Sequence, residues 1–463
     1  MTEDWAMGRQ GEGRPIVLVV GGGFSGLLTA LHLLSDPVGP QVLLVERRGV
    51  FGRGQAYATD DPEHLLNVRV ANMSAFPDQP DHFVNWLAAR NGQCGAGAFV
   101  TRTVYGEYLQ SLLRAAVAGR FGADRLLLEG DEVVDLTAAK GRWRAEMAMG
   151  RIVWADAVVL ATGAPPSAPP TGAGAELLAS DRYVGDPWRA KGLATELGPR
   201  VLLLGTGLTM VDVALMLGQA ERRLVAISRR GLTPRAHDGA PPCAGRIELG
   251  GSPTEVLREV RRRSRAAGWR QVVDQLRGVS ADIWRDWSLA QRRQFLRHAR
   301  PWWDVHRHRM APPVADRIDQ MKRRGELAVR AGTIVRLDLD GEEVRAEFRA
   351  RGGRRLQTLR FDAVVNCMGL GSDIARTDQP LMQALLRRSL VRADPCVLGL
   401  DVDPGFRPLN SGDAPTPGLF AVGPITRGGR WEVTSVPDIR SQAREVATAV
   451  AALLRQDLQP LSP

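Results

Sequence analysis

Cysteine is scarce in this chain. The four cysteines, Cys94, Cys243, Cys367 and Cys396, stand far apart with neither a C-x-x-C pair nor zinc-type spacing, which excludes a vicinal redox disulfide and a zinc ribbon. Equally absent is any apolar run near the roughly 20 residues that a membrane-spanning helix needs. The opening stretch, MTEDWAMGRQGEGRP, has no apolar signal core. It reads as a disordered lead over residues 1–14, and a cytoplasmic location is the expectation. Acidic residues are in deficit, 51 against 61 Lys plus Arg, for a net charge of +10. The arginines are spread along the chain with no nucleic-acid-binding motif beside them, so the excess points to anionic small ligands rather than nucleic acid.

What the chain has is room and repetition. Its 463 residues suit two or three domains. The segment RPIVLVVGGGFSGLLTALHLL reads as a buried strand, a glycine turn and a helix, with G-x-G-x-x-G at Gly21, Gly23 and Gly26. In such a turn the first glycine permits the sharp bend, the second lets backbone approach a pyrophosphate, and the third lets the helix pack on the strand. A phosphate then rests on the free N–H groups of the helix start. The next strand, QVLLVE, ends in Glu46, twenty residues past Gly26, where a carboxylate accepts hydrogen bonds from a ribose. Dinucleotide binding follows from this order of elements.

A second copy, LLLGTGLTMVD, keeps Gly205 and Gly207 but has Met210 in place of the third glycine. Its following strand ends in Ser228, Arg229 and Arg230, a hydroxyl and two guanidiniums suited to a 2′-phosphate. This loop is expected to take NADPH. The frames ADAVVLATG (155–163) and FDAVVNCMG (361–369) repeat as well, each after alternating segments that read as a small antiparallel sheet. The expected fold class is α/β, with two Rossmann-like domains. An FAD domain over residues 15–192 and 334–463 is interrupted by an NADPH domain over 193–333, which carries a helical insertion at about 235–325.

That layout resembles the two-dinucleotide-binding-domain flavoproteins, through VVGGGFSG, ATG at 161–163, GTG at 205–207 and LFAVGP at 419–424. More closely, the chain resembles a bacterial family of FAD/NAD(P)-binding oxidoreductases. GRGQAYATDDPEHLLNV, MSAFPDQPDHFVNWL, GTGLTMVD, RPWWDVHRHRMAP and GPITRGGRWEVTSVPDIRSQA carry that likeness. At greater distance it is similar to the flavin-dependent N-hydroxylating monooxygenases. The resemblance implies that Phe24, Ser25, Arg47, Val133, Ala161, Thr162, Gly163, Leu208, Thr209, Gly423 and Pro424 join the cofactor contacts. Asn67, Met73, Ser74 and Arg102 are candidates to approach the flavin, and Arg53 to meet pyrophosphate or an anionic substrate.

The start of the last helix, near Pro437, would face the flavin, and Trp431 and Glu432 just before it would either border the ring or pack structurally. Within the insertion Trp302, Val305 and Arg309 are expected on one helix face. His306 and Arg309 are candidates to bind substrate or move a proton. His306 and His308, at i, i+2, point to different sides of a helix, so no metal site is expected.

The departures are Cys-Met-Gly at 367–369 in place of ATG, Pro424 where the late flavin motif has an acid, and the absence of F-x-G-x-x-x-H-x-x-x-W. The leading expectation is an NADPH-oxidising FAD monooxygenase that uses molecular oxygen through a C4a-hydroperoxyflavin, on a small anionic or amine-bearing substrate. The alternatives are an FAD oxidoreductase without oxygen insertion and a nucleotide-dependent redox sensor.

Overall fold

The run IVLVV has apolar side chains on both faces of its pleat, so it is stable only where both faces are covered. The computed structural model describes residues 13–91, 94–119, 125–218, 221–238 and 247–456. Residues 1–12 of the expected lead, and Cys243, lie outside the described residues. β1 (Ile16–Val20) leads through α1 (Phe24–Leu34) to β2 (Gln41–Val45). A long connection with α2 (His82–Asn91) and α3 (Arg102–Val117) then reaches β3 (Leu126–Glu129). β4 (Val133–Ala139), β5 (Arg142–Met147) and β6 (Ile152–Ala155) form a separate antiparallel sheet, after which β7 (Ala157–Leu160) rejoins the first.

Past α4 (Ala175–Ala179) and β8 (Tyr183–Val184), the plan repeats with β9 (Arg200–Leu204), α5 (Leu208–Leu217) and β10 (Arg223–Ser228). Six helices follow: α6 (Pro253–Ala267), α7 (Trp269–Leu276), α8 (Ser280–Asp286), α9 (Leu289–His298), α10 (Arg300–Arg307) and α11 (Pro312–Arg324). β11 (Leu327–Asp340), β12 (Glu343–Ala350), β13 (Leu356–Phe361) and β14 (Ala363–Asn366) return to the second sheet. α12 (Pro380–Arg387), β15 (Leu419–Ala421) and α13 (Val436–Gln456) end the described chain.

The first sheet is parallel throughout, in the order β15-β7-β1-β2-β3. The second runs β13-β12-β11-β10-β9-β14-β8, and its strands from β11 to β8 pair in parallel. Strand for strand the cores match, with β9 in the place of β1 and β10 in that of β2. The meanders differ. The first is a sheet of its own, whereas β11 pairs parallel with β10 over Leu327–Ala331 and then antiparallel with β12 from Gly332 onward. The expected boundary at 333/334 falls inside one strand, and β12, β13 and β14 pair into the second sheet. One uninterrupted strand serves two pairings, with Gly332 at the switch, where a Cβ would lie 2.5 Å from Arg349 O.

Separate apolar cores lie on each face of each large sheet, and the insertion has one of its own around Trp284, Trp287 and Phe295. Among the described residues no helix is long and apolar enough to cross a membrane.

Candidate cofactor and active site

Both glycine loops are built around one backbone hydrogen bond. Gly21 N–H donates to Val45 O at 2.9 Å, and Gly205 N–H donates to Ile227 O at 2.8 Å. These glycines hold φ of +106° and +109°, which side chains disfavour. A Cβ on Gly21 would lie 2.4 Å from Ala161 O, and one on Gly205 would lie 2.4 Å from Cys367 O. The helices that follow, α1 and α5, have no side-chain cap and no acid in the first turn, so their N–H groups and dipole are left to an anion.

The closures differ. Glu46 at the end of β2 accepts the Gly22 N–H at 2.9 Å and the Arg48 N–H at 3.2 Å, which fixes its carboxylate beside the first loop. At the end of β10 the hydroxyl of Ser228 pairs with that of Thr206 at 2.8 Å and accepts the Gly231 N–H at 3.0 Å. Thr206 occupies the step of Gly22, so the same position is joined to an acid in one loop and to a hydroxyl in the other. Arg229 is exposed, and Arg230 donates to Arg297 O at 3.3 Å near the end of α9. A Cβ on Gly26 would lie 1.9 Å from Gly21 O, whereas Met210 is wholly buried in the core of the second domain. The first loop is roofed: Gly52 N–H donates to Gly22 O at 2.6 Å, and Gly54 faces Gly23 so closely that a Cβ there would sit 3.3 Å from it. Gly207 is open, with nothing within 4 Å.

Around the first loop, Phe24 and Ser25 are buried, and Ala161 donates its N–H to Val20 O at 2.8 Å. Thr162 has a buried hydroxyl with no partner, and Gly163 has φ +70° and open surroundings. Gly423, φ +84°, abuts Ser25, whose Oγ would lie 2.4 Å from a Cβ at 423. Its N–H donates to Gln442 Oε1 on α13 at 2.8 Å, and Gln442 Nε2 donates to Thr426 Oγ1 at 2.7 Å. Gln442 therefore ties α13 to the loop that Pro424 opens, a link between residues 19 apart that sequence patterning did not mark. Leu208 and Thr209 begin α5 half-buried. A cavity of about 420 Å³ at the start of α2 is lined by Gln79, Pro80, Asp81, His82, Asn85 and Trp86. It shares no residue with either loop and is a groove separate from them.

Several other candidates stand elsewhere. Met73 lies in the apolar core, and the Ser74 hydroxyl is held within its own turn by Phe76 and Gln79. Val133 is core beneath the meander, and Arg47 reaches Glu132 at 3.7 Å on the surface. Arg53 packs beside Gly106 of α3. Arg102 pairs with Asp212 of α5 at 2.7 Å, with both side chains nearly buried. This pair stitches the first domain to the helix of the second loop. Burial pushes the Asp212 carboxyl up despite the guanidinium beside it. The same seam holds His64, whose Nε2 meets Asp212 O at 3.2 Å, and His237, whose Nε2 meets Asn67 O at 3.1 Å. Asn67 thus joins the seam through its backbone.

In the insertion α10 stops at Arg307, so Arg309 leaves the expected helix face. Trp302 is 43 % exposed, whereas Val305 and Arg309 are buried. Arg309 is committed to an ion pair with Asp274. His306 bonds Trp302 O through Nδ1 at 2.7 Å and rests edge-on against Trp269, while His308, past the end of α10, points to Glu432. Trp431 is packed inside the insertion core, stacked on Trp284 at 4.8 Å, rather than at an open edge.

Two sheets with parallel cores, each with a glycine loop after its central strand, give the chain a fold of two dinucleotide-binding domains shared with the solved structures below. Residues 18–165 match the sequence family described as FAD-NAD(P)-binding. Among solved structures, the chain is similar to the ornithine N-hydroxylase of Kutzneria sp. 744, with reduced FAD, NADP+ and L-ornithine in its title. The TM-score is 0.64 at 16 % identity, over 97 % of this chain and 100 % of that one. The L-lysine 6-monooxygenase of Pseudomonas syringae gives 0.63 at 16 % identity, over 96 % and 100 %. The thioredoxin reductase of T. acidophilum gives 0.53 at 13 %, over 96 % and 99 %. No curated protein sequence matches the chain.

Proposed function

We propose that this chain is an FAD-dependent, NADPH-oxidising monooxygenase acting on a small anionic or amine-bearing substrate. One observation carries the reading: two loops of one backbone design are closed by opposite chemistry, Glu46 behind the first and Ser228-Arg229-Arg230 behind the second. A carboxylate accepts ribose hydroxyls and repels a 2′-phosphate, whereas a hydroxyl with guanidiniums attracts one. The residues present fit both nucleotides. Gly21, Gly23 and the start of α1 would hold the FAD pyrophosphate, Glu46 its ribose, and the unpartnered Thr162 hydroxyl a further polar group. Gly205, Gly207, Leu208, Thr209, Ser228, Arg229 and Arg230 would hold NADPH.

Bound FAD supplies electron acceptance from NADPH and the activation of molecular oxygen. The protein supplies position and shelter. Gln442 ties Gly423 to α13, which sets that helix and its dipole beside the first loop. The Arg102–Asp212 stitch holds the second loop's helix against the first domain. The neighbours titled ornithine N-hydroxylase and L-lysine 6-monooxygenase support oxygenation of an amine-bearing substrate, and the scattered cysteines disfavour a thiol relay.

The deciding experiment is anaerobic. Purified protein should show flavin absorbance that NADPH bleaches and oxygen restores, with one oxygen atom of labelled O₂ entering product from a panel of amines and amino acids. Flavin that cycles without label in any product would favour the oxidoreductase without oxygen insertion, and protein without flavin would sink both readings.

A further inference from the structure

Glu432 occupies a costly position. Its backbone is left-handed, φ +75°, and its side chain is only 4 % exposed. For a residue other than glycine such a conformation is strained, and it persists where the surroundings over-determine it. A buried carboxylate likewise needs partners. Its nearest side-chain partners among the described residues come from α10 and the residue after it, while Arg277 and Arg427 add charge from farther off. Trp303 Nε1 donates to Oε1 at 2.8 Å, Arg307 Nε lies 3.1 Å from Oε2, and His308 Nε2 lies 3.8 Å from Oε1.

The flanking residues are gripped by the same insertion. Trp431 stacks on Trp284 of α8 and meets Phe295 of α9 edge-on at 5.4 Å. Trp284 Nε1 donates to Gly428 O at 2.8 Å. Arg277, just past α7, donates to Ser435 Oγ at 3.2 Å and Asp438 Oδ2 at 3.3 Å. Thus α7 to α10, which hang from the second domain between β10 and β11, close onto residues 428–438 of the first. That stretch joins Gly423, which abuts the first glycine loop, to α13.

We infer that Glu432 is a positioning residue, the charged latch that fixes the helical insertion on the segment between Gly423 and α13. The insertion then forms a fixed wall at the first nucleotide site; that this wall bounds the substrate's approach rests on the flavoprotein reading above. Aromatic stacking supplies adhesion, and the carboxylate supplies register, because only it engages Trp303, Arg307 and His308 together.

Glu432→Gln separates these roles, since it can still accept the Trp303 hydrogen bond but no longer offsets Arg307. Limited trypsin digestion of the purified full chain reads the latch directly. Cleavage tracks the population of opened insertion, and a loss of about tenfold in closure would raise cutting at the arginines of α6 to α10 about tenfold. Tryptophan emission should shift to the red, and NADPH oxidation without added substrate should run faster, with one hydrogen peroxide formed per NADPH as two electrons pass to O₂. Arg307→Met should reproduce the effect, and the double variant should cleave no faster than either single one, because both break the same pair. Glu432→Gly serves where the Gln variant does not fold: it relieves the backbone strain yet lacks the latch, so its insertion should still open. Wild-type cleavage rates and emission in a folded Glu432→Gln or Glu432→Gly variant overturn the latch. Additive effects in the double variant overturn it as well. Absence of flavin overturns the cofactor reading alone, since the digestion needs no cofactor.

Discussion

The two glycine loops share one hydrogen-bonded bend and diverge in everything around it. In the first, Gly26 lets helix and turn touch, Gly52 and Gly54 roof the turn, and a carboxylate closes it. In the second, Met210 fills the third position and Gly207 is open. A tight, roofed loop suits a nucleotide that stays, and an open one suits a nucleotide that arrives and leaves. On the proposed reading, backbone geometry sets where a phosphate sits, and the residue that ends the next strand sets which nucleotide it belongs to.

The largest test of this contrast is Gly26→Ala. Its Cβ would meet Gly21 O at 1.9 Å, a backbone atom that cannot swing away, so purified protein should lose its flavin absorbance. Met210→Leu at the matching position conserves volume and should cost under about 1.5 kcal/mol, with flavin retained. Equal flavin loss in both would erase the asymmetry. Next, Gly205→Ala should keep the flavin but slow its reduction by NADPH about a hundredfold, roughly 2.7 kcal/mol, because a Cβ would meet Cys367 O at 2.4 Å. Stopped-flow reduction measures this.

Smaller still, replacing Arg229 and Arg230 together by Ala should raise KM for NADPH about tenfold, the worth of one charge-assisted bond or more, and leave KM for NADH nearly unchanged. Equal shifts for both coenzymes would remove the NADPH assignment from this loop. Least in size is a pH effect of two buried histidines, His237 at the seam and His32 on α1. Burial, reinforced by Arg309, lowers His237 to about 4, and burial lowers His32 to about 4. A folded value below the ordinary 6.5 means that the neutral ring is favoured in the fold. The resulting stability is complete above about 6.5 and drains away as pH falls toward 4, by about 1 kcal/mol or more per histidine. Thermal unfolding across that window should show the decline, and His237→Gln should make it shallower.

Much of the architecture was legible because its signals are local. Val17 to Gly26, the acid at Glu46 and the basic end of β10 lie within short windows whose periods and turn residues carry their own physics. The long final helix was legible for the same reason. The second meander reads from the sequence as part of the first domain because β11 passes from parallel to antiparallel pairing at Gly332 inside one continuous strand. Arg102 read as a flavin neighbour because its partner, Asp212, is 110 positions away. The sequence leaves Trp431 open between packing and chemistry, and the structure packs it in the insertion core.

By itself the sequence determined two glycine bends at helix starts and the charged or hydroxyl residues that close each, since turn geometry and charge need only neighbours along the chain. Which surfaces meet was decided by the tertiary structure alone: the Arg102–Asp212 seam, the Gln442 tie and the grip of α10 on Glu432. A buried charge acquires its role from the partner that burial forces on it, and that partner is chosen in space rather than in sequence.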